Sequence, residues 1–480
     1  MSPALPANPK HVHLVAIAGT GMGALAGLLH ARGLRVTGSD RALYPPMSEM
    51  LASWGIPVAL GYDAKNLEPR PDLVVIGNAV RPDNPEARAA IDGGIPYCSF
   101  PDALHAFAIA SRHSVVVAGT HGKTTTTSLL GALLGELGFD PSVLVGGVAL
   151  DFGGPFRDGA GPHFVVEGDE YDTAFFDKTP KFLHYHPRTL LLTSVEFDHA
   201  DIYRDLEHVK QAFRALVRGM PADGTIVAAL DDPNVRDVLE GAPPRIVGYG
   251  LGAGPGFRAL DLEPGPAGTA FRVLRDGEEL ARAVVPLYGR HNVSNAVGAL
   301  ATAAALGAPV EAAAAALARF RGVRRRQEVR GTVAGVTVLD DFAHHPTAVR
   351  ETIAAMRARF PGRRLVAVLE PRSNTSRRAL FQSDFADALA GADRAVIAVV
   401  PREPIYSNTG VVTEYLDADR VAADLRARGV EAEAIDGVDA IVARLAATCR
   451  AGDVVLVMSN GDFGGLWGKL LERLAHTASA

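Results

Sequence analysis

The sequence lacks the features that define disulfide-rich, zinc-binding or membrane-spanning proteins. Its 480 residues include two cysteines, Cys98 and Cys449, which form neither a CxxC pair nor a zinc-ligand spacing. We therefore expect two unpaired thiols in a reducing compartment. No apolar run reaches the roughly 18 residues that a membrane-spanning helix needs, and Met1–Lys10 has no signal-peptide pattern, so we expect a cytoplasmic protein.

An excess of positive charge is also missing. The formal net charge is −6, with 48% hydrophobic and 21% charged residues, which is typical of a globular protein with a sizeable core. The densest basic run, Arg324–Arg326, is too short for a nucleic-acid surface; a bound phosphate or a solvated charge run explains it equally well. We expect small-molecule partners, no nucleic acid and no membrane, in a monomer or weak dimer.

Three regions, each opening with a strand-like apolar segment, predict an α/β protein of three domains. Residues 1–112 begin with strand Val12–Ala18, a glycine turn and an apolar helix, which predicts a Rossmann-like domain. Residues 113–322 predict a P-loop domain with a mostly parallel sheet, and residues 323–480 a second Rossmann-like domain. We interpret Gly250–Gly268, rich in glycine and proline, as irregular structure or turns.

The clearest chemical signal is Gly119-Thr-His-Gly-Lys-Thr124, between strand Val115–Ala118 and a predicted helix. Backbone N–H groups at such a turn bind phosphate. Lys123 can reach the β- and γ-phosphates of ATP, and the Thr124 hydroxyl can bind Mg²⁺. The spacing is shorter than the usual Gly-x-x-x-x-Gly-Lys-Thr, and a glycine turn with a capping threonine is the alternative interpretation.

A second glycine turn, Gly19-x-Gly21-x-Gly23, is followed about 20 residues later by Asp40, as in a dinucleotide fingerprint. The third glycine comes one residue early, with Ala24 in the expected place. A tight turn with a capping aspartate is the alternative. Two phosphate-binding turns predict ATP at one and a nucleotide-linked substrate or a redox cofactor at the other, which leaves an NAD-dependent oxidoreductase or a non-catalytic nucleotide-gated binding protein as rival classes.

Acidic, histidine and amide residues follow other predicted strands or open a helix. The segment Glu167–Asp172 could hold Mg²⁺ or form a solvated acidic loop. His199, flanked by carboxylates, could bind a metal or orient water or the γ-phosphate. Asn292 and Asn295 share a helix face and could contact adenine, although Asn292 could simply cap its helix. The segment Asp340–Pro346 indicates a site near the reacting atoms or a turn.

Taken together, the motifs resemble the Mur ligases. Their order and spacing match over nearly the whole chain: Gly-Thr-His-Gly-Lys-Thr-Thr-Thr, Glu-x-Asp-Glu, Glu-x-Asp-His, Gly-Arg-His-Asn-x-x-Asn, Arg-Arg and Asp-Asp-x-x-His-His-Pro-Thr. The resemblance implies a UDP-substrate-binding domain, a central ATP-binding domain and a C-terminal amino-substrate domain. It also implies an ATP- and Mg²⁺-dependent ligase that forms an amide bond through an acyl phosphate.

Several segments resemble one branch of this family, which joins the tripeptide L-Ala-γ-D-Glu-meso-diaminopimelate to UDP-N-acetylmuramate in peptidoglycan recycling. These segments are Gly168–Lys178, Lys181–Tyr185, Glu196–Asp201, Asp341–Thr347 and Leu369–Thr375. The alternative branch joins L-alanine to the same acceptor and usually reads Glu-Ser-Asp-Ala-Ser and Asp-Asp-Tyr. Gly168 and Ser194 are small departures from the family, and Phe213 stands where several relatives have a carbamylated lysine, so we expect no carbamylation.

The resemblance implies roles for individual residues. The predicted catalytic residues are Lys123, His199, Arg326 and Asp341. The predicted ATP-binding residues are Gly119, Thr120, His121, Gly122, Lys123, Thr124, Thr125, Asn292, Asn295, Arg326 and Asp341. The predicted UDP-substrate residues are Gly19, Thr20, Gly21, Met22, Gly23, Ser39, Asp40 and Asn78. The predicted metal ligands are Thr124, Glu167 and His199, and the predicted peptide-binding residues are His344, His345, Arg372 and Asn374.

Overall fold

The computed structural model describes residues 5–405, 407 and 410–479, which contain three large sheets and one two-stranded ribbon. The predicted α/β fold with Rossmann-like first and third domains and a mostly parallel central sheet is confirmed. Cys98 and Cys449 are unpaired, as predicted. Within the described residues, none of the helices has the length and apolar composition that crossing a bilayer requires.

The first sheet has five parallel strands in the order β3-β2-β1-β4-β5. Its strands are β1 His11–Val15, β2 Arg35–Asp40, β3 Val58–Leu60, β4 Leu73–Ile76 and β5 Tyr97–Ser99. Its helices are α1 Thr20–Ala31, α2 Met47–Ser53, α3 Pro85–Asp92 and α4 Phe100–Leu104. The chain reverses direction across the sheet between β1 and β4, and open α/β sheets bind ligands at such a switch point.

The second sheet has ten strands, parallel in the middle and antiparallel at both ends, in the order β17-β16-β15-β14-β13-β12-β6-β9-β7-β8. Its strands are β6 His113–Ala118, β7 Ser142–Ala149, β8 Gly154–Arg157, β9 His163–Gly168, β12 Thr189–Leu192, β13 Thr225–Ala229, β14 Arg245–Leu251, β15 Phe257–Gly265, β16 Gly268–Arg275 and β17 Glu278–Val285. The ribbon pairs β10 Asp172–Ala174 with β11 Asp177–Pro180. The helices are α5 Lys123–Glu136, α6 Leu206–Arg218, α7 Pro233–Val238, α8 Arg290–Ala305 and α9 Val310–Leu317.

The third sheet has six strands in the order β18-β19-β23-β20-β21-β22, all parallel except the edge strand β18. Its strands are β18 Glu328–Val333, β19 Val336–Asp341, β20 Leu365–Leu369, β21 Arg394–Ala398, β22 Glu431–Ile435 and β23 Val454–Met458. Its helices are α10 Pro346–Arg359, α11 Gln382–Leu389, α12 Ala418–Ala427, α13 Val438–Thr448 and α14 Leu466–Ser479.

The prediction of irregular structure or turns for Gly250–Gly268 is wrong for the larger part of this segment, which is strand, and correct for the turns between its strands. Residues Phe257–Gly265 of this segment form β15, and β14 and β16 overlap its two ends. The glycines lie at two turns: Gly252 and Gly256, with φ of 82° and 77°, lie in the β14–β15 turn, and Gly265 and Gly268 flank the β15–β16 turn. Phe257, Arg258 and Ala259 are buried, and from Leu260 to Glu263 the strand alternates between half-buried and exposed residues, which is the pattern of a sheet with one covered face.

The cores of the first two domains are continuous. Buried side chains of the first sheet and α1 form one cluster with residues on one face of the second sheet and on α6, such as Phe164 of β9 and Phe213 of α6. The rings of Trp54 and Phe156 meet edge to face with centroids 5.4 Å apart across this boundary. The main apolar clusters of the third domain are separate from this one.

Candidate active site

Three adjoining cavities form one cleft across the three domains. The first cavity, of about 600 Å³, extends from the Gly19 turn to the acidic segment of the second domain. The central cavity, of about 470 Å³, contains the P-loop, and the third cavity, of about 460 Å³, lies beyond it toward α8. Glu167, Asp169 and Tyr171 line both the first and the central cavity, whereas Gly122 and Arg326 line both the central and the third.

The P-loop connects β6 to α5 and leaves the start of that helix available to a ligand. Gly119 and Gly122 have φ of 139° and 80°, values that favour glycine. A Cβ on Gly122 would lie 2.6 Å from Asn295 Oδ1, so the loop also fits closely against α8. No side chain caps the N-terminus of α5, and its unsatisfied N–H groups can therefore bind an anion.

Lys123 lies in the central cavity, where its Nζ donates to Glu170 Oε2 at 2.7 Å and to the Gly119 carbonyl at 2.8 Å. Burial lowers the pKa of Lys123, but the neighbouring carboxylates Glu170 and Asp169 outweigh it, so its pKa is raised and the ammonium stays charged. Glu170, which is 2% exposed, also lies 3.5 Å from His199 Nε2. Glu170 is therefore the counter-ion of Lys123 in this structure, a contact that the local sequence pattern did not predict.

The three predicted metal ligands line the central cavity together. Thr124 Oγ1 donates to Glu167 Oε1 at 2.8 Å, and the Gly146 N–H donates to Glu167 Oε2 at 2.7 Å. Burial, followed by the charge of Asp169, raises the pKa of Glu167. A divalent cation would relieve this repulsion, and a carboxylate and a hydroxyl are the oxygen ligands that Mg²⁺ prefers, so the donor set fits the ion.

Asn292 and Asn295 are buried at the start of α8 and line the third cavity. The Asn292 Nδ2 donates to the Tyr288 carbonyl at 2.9 Å, which fixes its amide. From the third domain, Arg326 approaches Thr124, with its guanidinium nitrogen 3.4 Å from Thr124 Oγ1. Asp341 accepts the N–H groups of Gln327 and Ala343 at 2.8 Å and lines the same cavity. Predicted ATP-binding residues from two domains thus lie around one volume.

Most of the predicted UDP-substrate residues line the first cavity. These are Gly19, Thr20, Gly21, Met22, Asp40 and Asn78. Asp40 accepts the Ala18 N–H at 2.8 Å and thereby holds the chain just before the glycine turn. Gly23 and Ser39 are not among the lining residues: a Cβ on Gly23 would collide with Met47, and the fully buried Ser39 hydroxyl donates to Glu86 Oε1 at 2.7 Å.

The predicted peptide-binding residues divide into two groups. His344 and His345 line the central cavity. Arg372 and Asn374 do not line any of the three cavities. Arg372 pairs with Asp462 at 3.0 Å, and Asn374 donates to Asp201 Oδ2 at 3.1 Å, which joins the third domain to the second.

Glu196 forms a second link between these domains that sequence reasoning missed. Its Oε2 lies 2.7 Å from His121 Nε2 of the P-loop, and its Oε1 accepts the Thr347 hydroxyl at 2.6 Å. His345 lies beside this group, but both of its ring nitrogens are already used: Nδ1 accepts the Thr347 N–H, and Nε2 donates to the Phe197 carbonyl. The motif Glu-x-Asp-His contained Glu196, but its partners are far away in sequence.

Comparison with known proteins gives matches along the whole chain. Three family models match: the Mur ligase family catalytic domain over residues 11–112, the Mur ligase middle domain over residues 117–303, and the Mur ligase glutamate ligase domain over residues 325–461. The UDP-N-acetylmuramate–L-alanyl-γ-D-glutamyl-meso-2,6-diaminoheptandioate ligase of Escherichia coli is 41% identical, with 98% of this chain and 99% of that protein covered.

Two further relatives belong to the two branches that the sequence leaves as alternatives. The UDP-N-acetylmuramate–L-alanine ligase of Burkholderia multivorans is 37% identical, over 96% of this chain and 98% of that protein. The crystal structure of a murein peptide ligase from Psychrobacter arcticus 273-4 superposes with a TM-score of 0.73 and 35% identity, over 97% of this chain and 99% of that one.

We predict that Gly122→Ala weakens ATP binding by at least about tenfold, because the new Cβ would combine backbone strain with a collision against Asn295. Gly138→Ala is the matched control: its φ is 79°, yet nothing lies within 4 Å of the added Cβ. Calorimetric titration with ATP measures both. Equal affinity in the two variants would show that the close fit at Gly122 is unimportant.

A second prediction concerns pH. Burial, followed by the charge of His121, lowers the pKa of His345 from 6.5 to about 4. At pH values between these two pKa values, the imidazole is protonated in the unfolded chain and neutral in the folded chain. The free energy of unfolding therefore falls as the pH falls through this range. We expect a loss of about 2 kcal/mol between about pH 7 and pH 5 from this group.

His345→Asn tests this expectation, because asparagine can still accept the Thr347 N–H as a helix cap but does not titrate. Denaturant unfolding at several pH values should give a shallower pH dependence for the variant than for the wild type. Parallel curves would mean that His345 titrates as it does in an unfolded chain.

Proposed function

The chain belongs to the Mur ligase family, and we propose that it joins the tripeptide L-Ala-γ-D-Glu-meso-diaminopimelate to UDP-N-acetylmuramate in peptidoglycan recycling. As a member of this family it is an ATP-dependent ligase that forms amide bonds. The observation that carries the proposal is the continuous cleft, in which Lys123 lies between a cavity suited to a nucleotide-linked substrate and a cavity suited to adenine.

Each domain has a proposed task. Residues 1–112 bind the UDP moiety at the Gly19 turn, residues 113–322 bind ATP at the P-loop and α8, and residues 323–480 bind the peptide and contribute Arg326 and Asp341 to the nucleotide. The unfilled N-terminus of α1, which begins after Gly19 without a side-chain cap, supports diphosphate binding in the first cavity. The protein acts in the cytoplasm, without nucleic acid or membrane, as a monomer or weak dimer.

The reaction needs an activated acyl group, because a carboxylate has no suitable leaving group for attack by an amine. The lactyl carboxylate of UDP-N-acetylmuramate attacks the γ-phosphorus of ATP, which forms an acyl phosphate and releases ADP. The amine of the peptide then attacks the acyl carbon, phosphate leaves, and the nitrogen loses a proton. Lys123 and Arg326 neutralise charge on the transferred phosphoryl group, and both line the central cavity.

Thr124, Glu167 and His199 are the residues that would hold Mg²⁺. When bound, the ion supplies positive charge to the phosphate oxygens. His199 is positioned for this task by its approach to Glu170 and by the ring of Tyr171, whose centroid lies 5.2 Å from its own. Contacts from the third domain, including that of Thr347 to Glu196, close the cleft against water, which would hydrolyse an acyl phosphate.

The two branches of the family differ in the amine that they join to UDP-N-acetylmuramate. Tyr171 and Phe342 stand where the alanine-adding branch usually has serine and tyrosine, and both line the central cavity. We therefore expect the enzyme to release phosphate from ATP when UDP-N-acetylmuramate and the tripeptide are supplied. Phosphate release should be far lower when L-alanine replaces the tripeptide. A phosphate assay with a panel of amines measures this, and efficient turnover with L-alanine alone would assign the chain to the other branch.

The acyl phosphate has its own isotopic test. In a single turnover with ¹⁸O in the lactyl carboxylate, one labelled oxygen should pass to the released phosphate, because that oxygen forms the bond to phosphorus. Mass spectrometry of the phosphate detects it. Unlabelled phosphate would exclude this intermediate and with it the proposed chemistry.

We predict that Lys123→Ala lowers kcat by at least about 100-fold, because it removes a preorganised charge from the transferred phosphoryl group. Lys469→Ala is the control: that side chain is partly exposed and pairs with Asp439 at 2.7 Å, far along the sequence from the P-loop. Steady-state phosphate release gives kcat for both. Near-normal turnover of the Lys123 variant would remove this residue from the mechanism.

A further inference from the structure

We infer that Lys181 binds the diphosphate of the UDP-linked substrate, as a contact from the second domain that complements the Gly19 turn of the first. The inference rests on the proposed function, since it assumes a UDP-linked substrate in the first cavity. Lys181 begins the 3₁₀ helix Lys181–Tyr185, and its side chain lines that cavity. In the sequence, Lys181 belongs to the branch-specific segment Lys181–Tyr185 and has no predicted role of its own.

The Lys181 side chain is buried but incompletely paired. The residue is 8% exposed, and its Nζ lies 3.7 Å from Asp169 Oδ2. A charge-assisted hydrogen bond spans about 2.7–2.9 Å, so the ammonium is not fully engaged by this carboxylate. It lies 4.1 Å from the centroid of the Tyr171 ring, a cation–π contact that holds the amine without using its N–H donors. A buried ammonium with unused donors at a cavity wall is suited to an anionic ligand.

Phe100 places this ammonium near the glycine turn. The Lys181 Nζ lies 5.5 Å from the centroid of the Phe100 ring, and a Cβ on Gly21 would lie 3.6 Å from Cζ of the same ring. One aromatic ring therefore contacts both the turn and the ammonium. The N-terminus of α1 and Lys181 can thus approach the same phosphate groups from two domains.

The charges around the first cavity limit which side chains could balance a diphosphate. The cationic lining residues are Arg41, Arg81 and Lys181, and the anionic ones are Asp40, Asp83, Glu167 and Asp169. Of the cations among these described residues, Lys181 alone comes from the second domain. Burial lowers the pKa of Lys181 against the opposing effect of Asp169, and a diphosphate would add the negative charge that stabilises its charged form.

The lactyl carboxylate is a less suitable partner for Lys181. In the proposed mechanism that carboxylate meets the γ-phosphate beside Lys123 in the central cavity. Lys181 is not among the residues that line the central cavity. A structural ion pair is also a poor explanation, because the 3.7 Å separation from Asp169 leaves the carboxylate and ammonium short of a hydrogen bond.

Calorimetric titration of the full-length protein with UDP tests the inference without turnover. Lys181→Met should raise the Kd for UDP about 10- to 100-fold, the usual effect of losing a charged hydrogen bond. Lys181→Arg should retain most of the affinity, and the Kd for ATP should not change. Lys178→Met is the matched control, since Lys178 is three residues away, is exposed and pairs with Asp172 at 2.8 Å.

Kinetics with UDP-N-acetylmuramate give a second readout: Lys181→Met should raise KM for this substrate with a much smaller change in kcat. Unchanged UDP affinity in Lys181→Met would overturn the inference, even if affinity for UDP-N-acetylmuramate fell, because the contact would then be to the sugar or the carboxylate. Equal losses of UDP and ATP affinity would overturn it in favour of a structural role. A wild-type chain that does not bind UDP would overturn the proposed function as well.

Discussion

The cost of burying positive charge at the start of a helix determines the arrangement of the cleft. The N-terminus of α5 and the ammonium of Lys123 are close together, and an unpaired buried charge would cost about 3–5 kcal/mol. Glu170 supplies the balancing charge, and the Tyr203 hydroxyl, which donates to the Glu170 carbonyl, holds its backbone in place. A triphosphate offers more negative charge than Glu170 does. The same geometry that stabilises the protein alone therefore also selects its ligand.

The two domain boundaries differ in what holds them together. The first and second domains share a continuous apolar cluster, and separating them would expose side chains such as Trp54 and Phe156 to water. The third domain meets the second near the cleft through hydrogen bonds, among them those of Thr347 and Asn374, and through a smaller apolar contact with Tyr288 and Phe197. Water can replace a hydrogen bond at a net cost of about 1 kcal/mol. Opening of the cleft at the third domain is accordingly the less costly movement.

The features that could be predicted from the sequence are those whose interacting residues lie close together along the chain. The P-loop and the Gly19 turn depend on residues that are adjacent in sequence, so their positions at strand ends could be predicted. Glu170 pairs with Lys123, 47 residues away, and Glu196 bonds to Thr347, 151 residues away. Lys181 depends on the ring of Phe100, which belongs to another domain. The error at Gly250–Gly268 has a local cause, since glycines at the turns concealed a strand whose first three residues are buried and whose alternating burial begins at Leu260.

The arrangement of the cleft also separates the choice of acceptor from the choice of amine. In the proposed mechanism, the uncapped N-termini of α1 and α5 bind the phosphates of the two nucleotides in the first and second domains. The lactyl carboxylate must then lie between these fixed points, near Lys123. The remaining side of the central cavity is formed by the third domain, through Phe342, His344 and Asn460. Differences in amine specificity within the family can therefore arise in the third domain, as at Phe342, and also at Tyr171 of the second domain, which lines both the acceptor cavity and the central cavity.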